Sequence, residues 1–349
     1  PTDMVSQLEN DKEYTDMHKT IIMMAVLYSL AANVQAECDL DPASPGGPWI
    51  ANIPAALITI DASLPADTVN PIAQFDSPVQ GYNQEYIDCH KGTPYGKSAY
   101  GLSGQDSSTR IYKTNIDGIG IKLLWNNGGA FGQYPSNQTY TPSDGANVGR
   151  FIYPSASFFR VQFFKTADSL MLTNPDGEQA LPAGEIAYNW LVNNSPAQYT
   201  QQLNIGRITV ISTPSCIYTP SQTVDFGTVT SNTLTTEGIQ RPLPFEINCR
   251  TDYGYYSASA TLTTSTPSSD NSYIKVMDAG GHDDRMGIKI RNAQGQEMKV
   301  DGSSSENISN KASMIPAQFN WTAILIPTGS SHPTDGDFTA RAEIILQLR

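Results

Sequence analysis

Acid–base chemistry would need carboxylates or histidines held close together, and the densest such group in the chain is His282 beside Asp283 and Asp284. Paired carboxylates are what glycoside hydrolysis requires. Here they follow Gly280-Gly281, where aspartates form turns by bonding their own backbone. Past residue 36 the histidines are His90, His282 and His332, and no Gly-x-Ser-x-Gly elbow accompanies them, so a serine triad finds no support. The run Asn127-Gly128-Gly129-Ala130-Phe131-Gly132 lacks the Gly-Lys-Ser/Thr ending of a phosphate loop and reads as a hairpin or bulge. The four cysteines, Cys38, Cys89, Cys216 and Cys249, form no Cys-x-x-Cys or Cys/His cluster. The residues therefore predict a protein that is not an enzyme and carries no metal or cofactor.

Binding chemistry is better represented. Sugars are recognised by aromatic faces against C–H surfaces and by planar amides or carboxylates against hydroxyl pairs, set on loops of a rigid scaffold. The segment from Trp125, Asn126 and Asn127 through Tyr134, Asn137 and Tyr140 offers both kinds of group.

The scaffold that must position these residues reads as all-β. Gly (27), Pro (23) and Tyr (17) are abundant and charged residues make up only 16%, which favours strands and turns. After residue 36 no window sustains a 3.6-residue apolar period, while short β-branched or alternating runs recur between turn residues. In the first half strands are expected near Ala55–Ile60, Ile119–Trp125, Ser157–Lys165, Glu185–Val192 and Leu203–Ile211, with a loop over 134–147. The second half predicts Val224–Val229, Pro244–Cys249, Ser257–Thr264, Met286–Arg291, Gln318–Ile326 and Phe338–Leu348. A chain of 349 residues suits two sandwiches better than one.

The leader precedes these strands. Met17-His18-Lys19-Thr20 is a short basic start, Ile21 to Ala32 an apolar run, and Val34-Gln35-Ala36 has small residues where a signal peptidase reads. A signal peptide is expected, with residues 1–16 an upstream extension and Glu37 the mature N-terminus. An apolar run this short is no membrane span. Removing residues 1–36 takes five acids and two lysines and changes the formal charge from −13 to −10. An acidic chain with scattered Lys and Arg is not a nucleic-acid binder. Export makes an even number of cysteines read as disulfides, and their grouping predicts Cys38–Cys89 and Cys216–Cys249. The expected division is 37–211, a linker at 212–215 around Thr213-Pro214, and 216–349.

The C-terminus is the most informative stretch. Gly336-Asp337-Phe338 through Leu348 alternates an inward set, Phe338, Ala340, Ala342, Ile344, Leu346 and Leu348, with mostly polar positions. Cys216, then Val224-Asp225-Phe226-Gly227-Thr228-Val229, Phe245-Glu246-Ile247-Asn248-Cys249, Met286-Gly287-Ile288-Lys289-Ile290 and the terminal Gly-x-Phe-x-Ala strand together resemble a chaperone-usher pilin domain. The segments Thr114 to Ile121 and Phe158 to Thr166 resemble strands of the receptor-binding domains of fimbrial tip adhesins.

The resemblance implies an immunoglobulin-like sandwich in 216–349 that lacks its last strand. A periplasmic chaperone, and then the next fimbrial subunit, would fill the groove by strand addition. The inward residues would line it, and the carboxylate of Arg349 would anchor on the chaperone. A shaft subunit carries a donor arm ahead of its first cysteine; here Glu37-Cys38 runs into another domain, which implies a place at the fimbrial tip. Asp168, Asn174 and Asp176 lie where the resemblance to the mannose-binding adhesins would place part of a receptor pocket. The implied protein is exported through the periplasm, engages chaperone, outer-membrane usher and adjacent subunit, and binds a host glycan or matrix receptor. The alternative is a tip or adaptor subunit that caps or nucleates the fimbrium without adhering.

Overall fold

A computed structural model describes residues 38–230 and 232–348. The leader over 1–36, the mature terminus at Glu37 and the anchoring role of Arg349 lie outside the described residues. About half of those described are in strands and nearly all the rest in turns and loops, with a single 3₁₀ turn at Pro196–Gln198 among them. No described helix is long and apolar enough to cross a membrane.

In the first half a five-stranded sheet runs in the order Ser136–Thr139, Pro94–Ala99, Gly184–Leu191, Tyr199–Ile205 and Trp49–Ile53, the last pair parallel. Facing it across one core lie the sheet Ala73–Asp76, Phe158–Lys165, Ile119–Asn126, Tyr112–Lys113 and the sheet Glu178–Leu181, Ile208–Thr213, Ala56–Asp61. The strand expected over 203–211 is two strands, because the chain changes sheet at Gly206-Arg207 beside Pro54-Ala55. Gly206 N–H donates to Ile53 O, and a β-carbon at Gly206 would fall 2.2 Å from the Ala55 nitrogen, so only glycine allows this approach. Phe159, Val161 and Phe163 pack with Ile119, Ile121 and Leu123, all almost fully buried. Each such side chain contributes roughly 2–3 kcal/mol.

A third, smaller sheet of Asp39–Leu40, Gln84–His90 and Val148–Tyr153 covers a separate aromatic cluster and carries the Cys38–Cys89 disulfide. Part of the expected 134–147 loop is strand, since Ser136–Thr139 pairs with Pro94–Lys97. Asn127-Gly128-Gly129-Ala130 is a hairpin between Ile119–Asn126 and Phe131–Gln133, with Asn127 Oδ1 accepting from the Gly129 and Ala130 N–H groups.

The second half is also two-layered. Ser215–Tyr218, Ile239–Arg250, Ala317–Pro327, Met286–Arg291 and Ile274–Val276 form one sheet; Asp301–Ala312, Tyr255–Thr263 and Glu343–Leu348 form the other. Phe245 stacks on Phe319 at 5.0 Å and meets the edge of Trp321 at 4.9 Å. Cys216 and Cys249 are bonded and directly paired across the first two strands.

Val224–Val229 is not a strand. Its apolar residues Val224, Phe226 and Val229 still reach the core, but no neighbouring strand pairs with its backbone, and the Arg241 guanidinium takes up the Asp225 and Phe226 carbonyls instead. The last strand is shorter than expected, beginning at Glu343. Thr339 bridges Met277 at the end of one sheet, whereas Glu343–Leu348 pairs in the other, so residues 340–342 cross between layers and cannot stay in one ladder.

Pro214 alone separates Ile208–Thr213 from Ser215–Tyr218. The two halves also touch through residues 250–253. Asp252, 1% exposed, accepts from Leu170 N–H at 2.8 Å and Ser212 Oγ–H at 2.7 Å, while Arg250 donates to the Asp168 carbonyl.

Candidate functional site

The strand Glu343–Leu348 pairs with Tyr255–Thr263 along one edge only, from Glu343 opposite Thr263 to Leu348 opposite Ala258. Among the described residues no strand occupies its other edge. Its inner row, Ile344 and Leu346, is only half-buried although it packs on the second core, and Leu348 is 38% exposed. Phe338 and Ala340 also pack on that core, whereas Ala342, in the crossover, is exposed. The 224–229 segment, which pairs with no strand, borders the same core through Val224 and Phe226. An open strand edge above incompletely covered apolar side chains can accept an extended peptide, with backbone hydrogen bonds giving affinity and alternate side chains giving specificity.

The approach to this strand is fixed by Asp278, whose side chain is inaccessible. It accepts from the N–H groups of Gly280, His282 and Thr334 and lies 3.4 Å from the Arg285 guanidinium. The Thr334 N–H above all, with those of His282 and Gly280, holds its carboxyl well below the usual aspartate range against the opposite pull of desolvation. Asp283 and Asp284 lie in the adjoining bend, Asp283 pairing with Lys275.

The residues singled out for receptor binding do not converge. Trp125 packs edge-on against Tyr153 at 5.9 Å, under Lys97 at 5.5 Å. Asn126 is buried and accepts from Gly128 N–H. Tyr134 is a correction: it is 1% exposed and its hydroxyl donates to Asn189 Oδ1 at 2.6 Å, so burial, which also raises its pKa, removes it from any receptor. Asn127 and Asn137 are exposed, and the half-buried Tyr140 donates to the Arg150 carbonyl.

Asp168, Asn174 and Asp176 lie on exposed backbone, where Asn174 closes a turn onto Asp176 N–H and Gly177 O. They are also at the wrong end of the sheet for joint action with Trp125. Phe158–Lys165 runs antiparallel to Ile119–Asn126, with Phe158 opposite Asn126 and Lys165 opposite Ile119, so the two loops sit roughly 25 Å apart at 3.4 Å per residue. The Asp168 end faces residues 250–253 of the second half.

A concavity of about 450 Å³ lies elsewhere, between the turn at 41–45, Asn83, Glu85, Arg150 and Ser155. Arg150 Nη1 bridges Asp41 at 3.0 Å and Glu85 at 2.9 Å. These residues come from three separated stretches of sequence, and no spacing within the chain marks them as a group. The disulfide that joins Cys38 to Cys89 was the one sequence signal that brings the first two stretches together.

Family comparison fits this geometry. Residues 206–349 match the fimbrial protein family, and residues 56–184 match the MrkD-like receptor-binding domain. The chain belongs to the two-domain tip adhesins of chaperone-usher fimbriae. Both matched families consist of structural and binding proteins, and such adhesins are surface-displayed pilus components exported through the periplasm. No curated protein matches the adhesin. It is similar to the receptor-binding domain of the plasmid-borne adhesin MrkD1P of Klebsiella pneumoniae, at 18% identity over 54% of this chain and 98% of that one, TM-score 0.36. The CupB6 tip adhesin of Pseudomonas aeruginosa is 12% identical over 90% of this chain and 95% of its own, TM-score 0.36. The chaperone–tip subunit complex CsuC–CsuE of Acinetobacter baumannii matches at 10% identity over 86% of this chain and 99% of that one, TM-score 0.39. The assignment of the adhesin rests on the two family matches.

Proposed function

We propose that the adhesin stands at the fimbrial tip, with residues 37–211 as its receptor-binding domain, 212–215 as the junction and 216–349 as a pilin domain that accepts a strand and donates none. The observation that carries this is the open edge of Glu343–Leu348 above the half-buried Ile344 and Leu346. A periplasmic chaperone and then the adjacent subunit would fill that edge, with the usher ordering the exchange. The tip position is supported by what precedes Cys216: Ile208–Thr213 is hydrogen-bonded in parallel to Ala56–Asp61, so it is held in a sheet and is no free arm for another subunit. The receptor is a host glycan or matrix component.

Competition adhesion assays test the reading. Full-length adhesin added to fimbriated cells should block their attachment to host surfaces in proportion to its occupancy. Attachment unchanged at saturating adhesin would leave a capping subunit without adhesive function.

A further inference from the structure

We infer that Arg241 is a latch on the strand-accepting groove: its guanidinium occupies backbone carbonyls on the wall facing Glu343–Leu348 and surrenders them to an incoming strand. This rests on the strand-accepting reading above and adds how the empty groove is guarded. The first support is position. Trp321 on Ala317–Pro327 donates to Glu306 on Asp301–Ala312, and Tyr256 on Tyr255–Thr263 donates to the Ile247 carbonyl on Ile239–Arg250. Strand by strand the smaller sheet is laid over the larger, so Glu343–Leu348 falls one place beyond Ile239–Arg250. That place in the larger sheet is held by residues 215–226. Ser215–Tyr218 pairs with Ile239–Arg250, and Thr219 N–H still reaches the Glu246 carbonyl. Farther along only side chains bridge the two, Gln222 to the Pro244 carbonyl and Arg241 to those of Asp225 and Phe226. The open edge and this loosened segment are the two walls of one groove.

The second support is how Arg241 is bonded. By alternation it belongs to the inward row of its strand, with the core residues Leu243, Phe245 and Ile247, and it is half-buried. An arginine in such a row lays its stem on apolar neighbours and must find partners for its head. All three of its nitrogens donate to backbone carbonyls: Nε to Asp225 at 3.2 Å, Nη2 to Phe226 at 3.1 Å and Nη1 to Gln240 at 3.0 Å. The planar fork gives two successive carbonyls what the N–H groups of a neighbouring strand would give them in a ladder. Phe226, 5% exposed in the core, keeps the segment within reach of the fork.

The third support is the exchange this permits. An extended chain entering the groove brings its own backbone N–H groups to the Asp225 and Phe226 carbonyls, and the guanidinium swings out to solvent. Until then the charge-assisted bonds keep the wall's acceptors satisfied. A satisfied wall pairs less readily with a wrong chain, at the cost of slower and weaker entry of the right one.

Binding of a labelled synthetic peptide, valine alternating with threonine between terminal lysines, to the full-length adhesin tests the inference. Arg241→Met keeps the apolar stem and removes every donor. It should bind the peptide about tenfold more tightly, with most of the gain in the association rate, since no charge-assisted bond has to open first. Arg241→Lys, which keeps the charge without the fork, should fall between the two. In the parent protein, saturating peptide should shift the nuclear magnetic resonance signal of the Arg241 Nε–H and speed its exchange with solvent, a readout that needs no substitution. Affinity and rate unchanged or lowered in Arg241→Met, or an Nε–H signal that saturating peptide leaves unmoved, would overturn the latch and leave strand acceptance standing. A parent protein that binds no peptide would sink the strand-accepting reading and the latch with it.

Discussion

Asp252 shows how much a single side chain contributes where the two halves meet. Both its oxygens receive bonds from the first half, from Leu170 N–H and Ser212 Oγ–H, and its backbone carbonyl takes Leu172 N–H. Asp252→Ala would leave two buried donors unpaired, so urea denaturation should show a loss of about 2–4 kcal/mol, with hydrogen exchange rising first at 168–172. Asp278 makes a different prediction. Its carboxyl is held below the usual range in the folded state, so its contribution is complete above about pH 4 and is lost as pH falls toward the folded value. Asp278→Asn should lower stability at pH 7 and flatten the fall between pH 4 and pH 2; urea midpoints that run parallel to the parent across that window would contradict the assignment. At this scale the sequence could show that Asp283-Asp284 were turn residues, but not that Asp278 was the anchor, since its partners Thr334 and Arg285 are brought to it only by the fold.

At the scale of elements, strands were legible where apolar residues alternate or run together, as in Met286–Arg291 and Phe158–Lys165. Asp301–Ala312 was not, because its inward row includes Gly302, Ser304 and Glu306, with the buried Glu306 carboxylate receiving Trp321 Nε1–H. Gln84–His90 and Pro94–Ala99 escaped for a related reason: their inward Gln84 and Gly96 carry no apolar signal. Val224–Val229 erred the other way, since its apolar residues reach the core without a strand to pair with. The residues expected to bind a receptor suffered from the same limit. Aromatic and amide residues such as Trp125 and Tyr134 look alike in sequence whether they face a ligand or the core, and Arg150 meets Asp41 and Glu85 only through sheet pairing. The disulfides were legible from the leader together with the number and grouping of the cysteines. Cys216–Cys249 closes a separation of 33 residues, so a Cys216→Ala/Cys249→Ala double variant should lose about 3–4 kcal/mol on the loop-entropy account, read from denaturant midpoints.

At the scale of the whole molecule, the two halves differ in how their cores are closed. The first core closes on its own sheets, whereas the second leaves Ile344, Leu346 and Leu348 incompletely covered. That asymmetry is what the proposed strand acceptance rests on. The most direct test is thermal unfolding of the full-length adhesin with and without a synthetic extended peptide of alternating apolar residues. A peptide that completes the sandwich should raise the unfolding temperature of the second half by ten degrees or more at saturation, roughly what several kcal/mol of linked binding gives, and Leu346→Asp should abolish the gain. A second half equally stable with and without the peptide would mean that the edge is closed by the chain itself, and the strand-accepting account would fail.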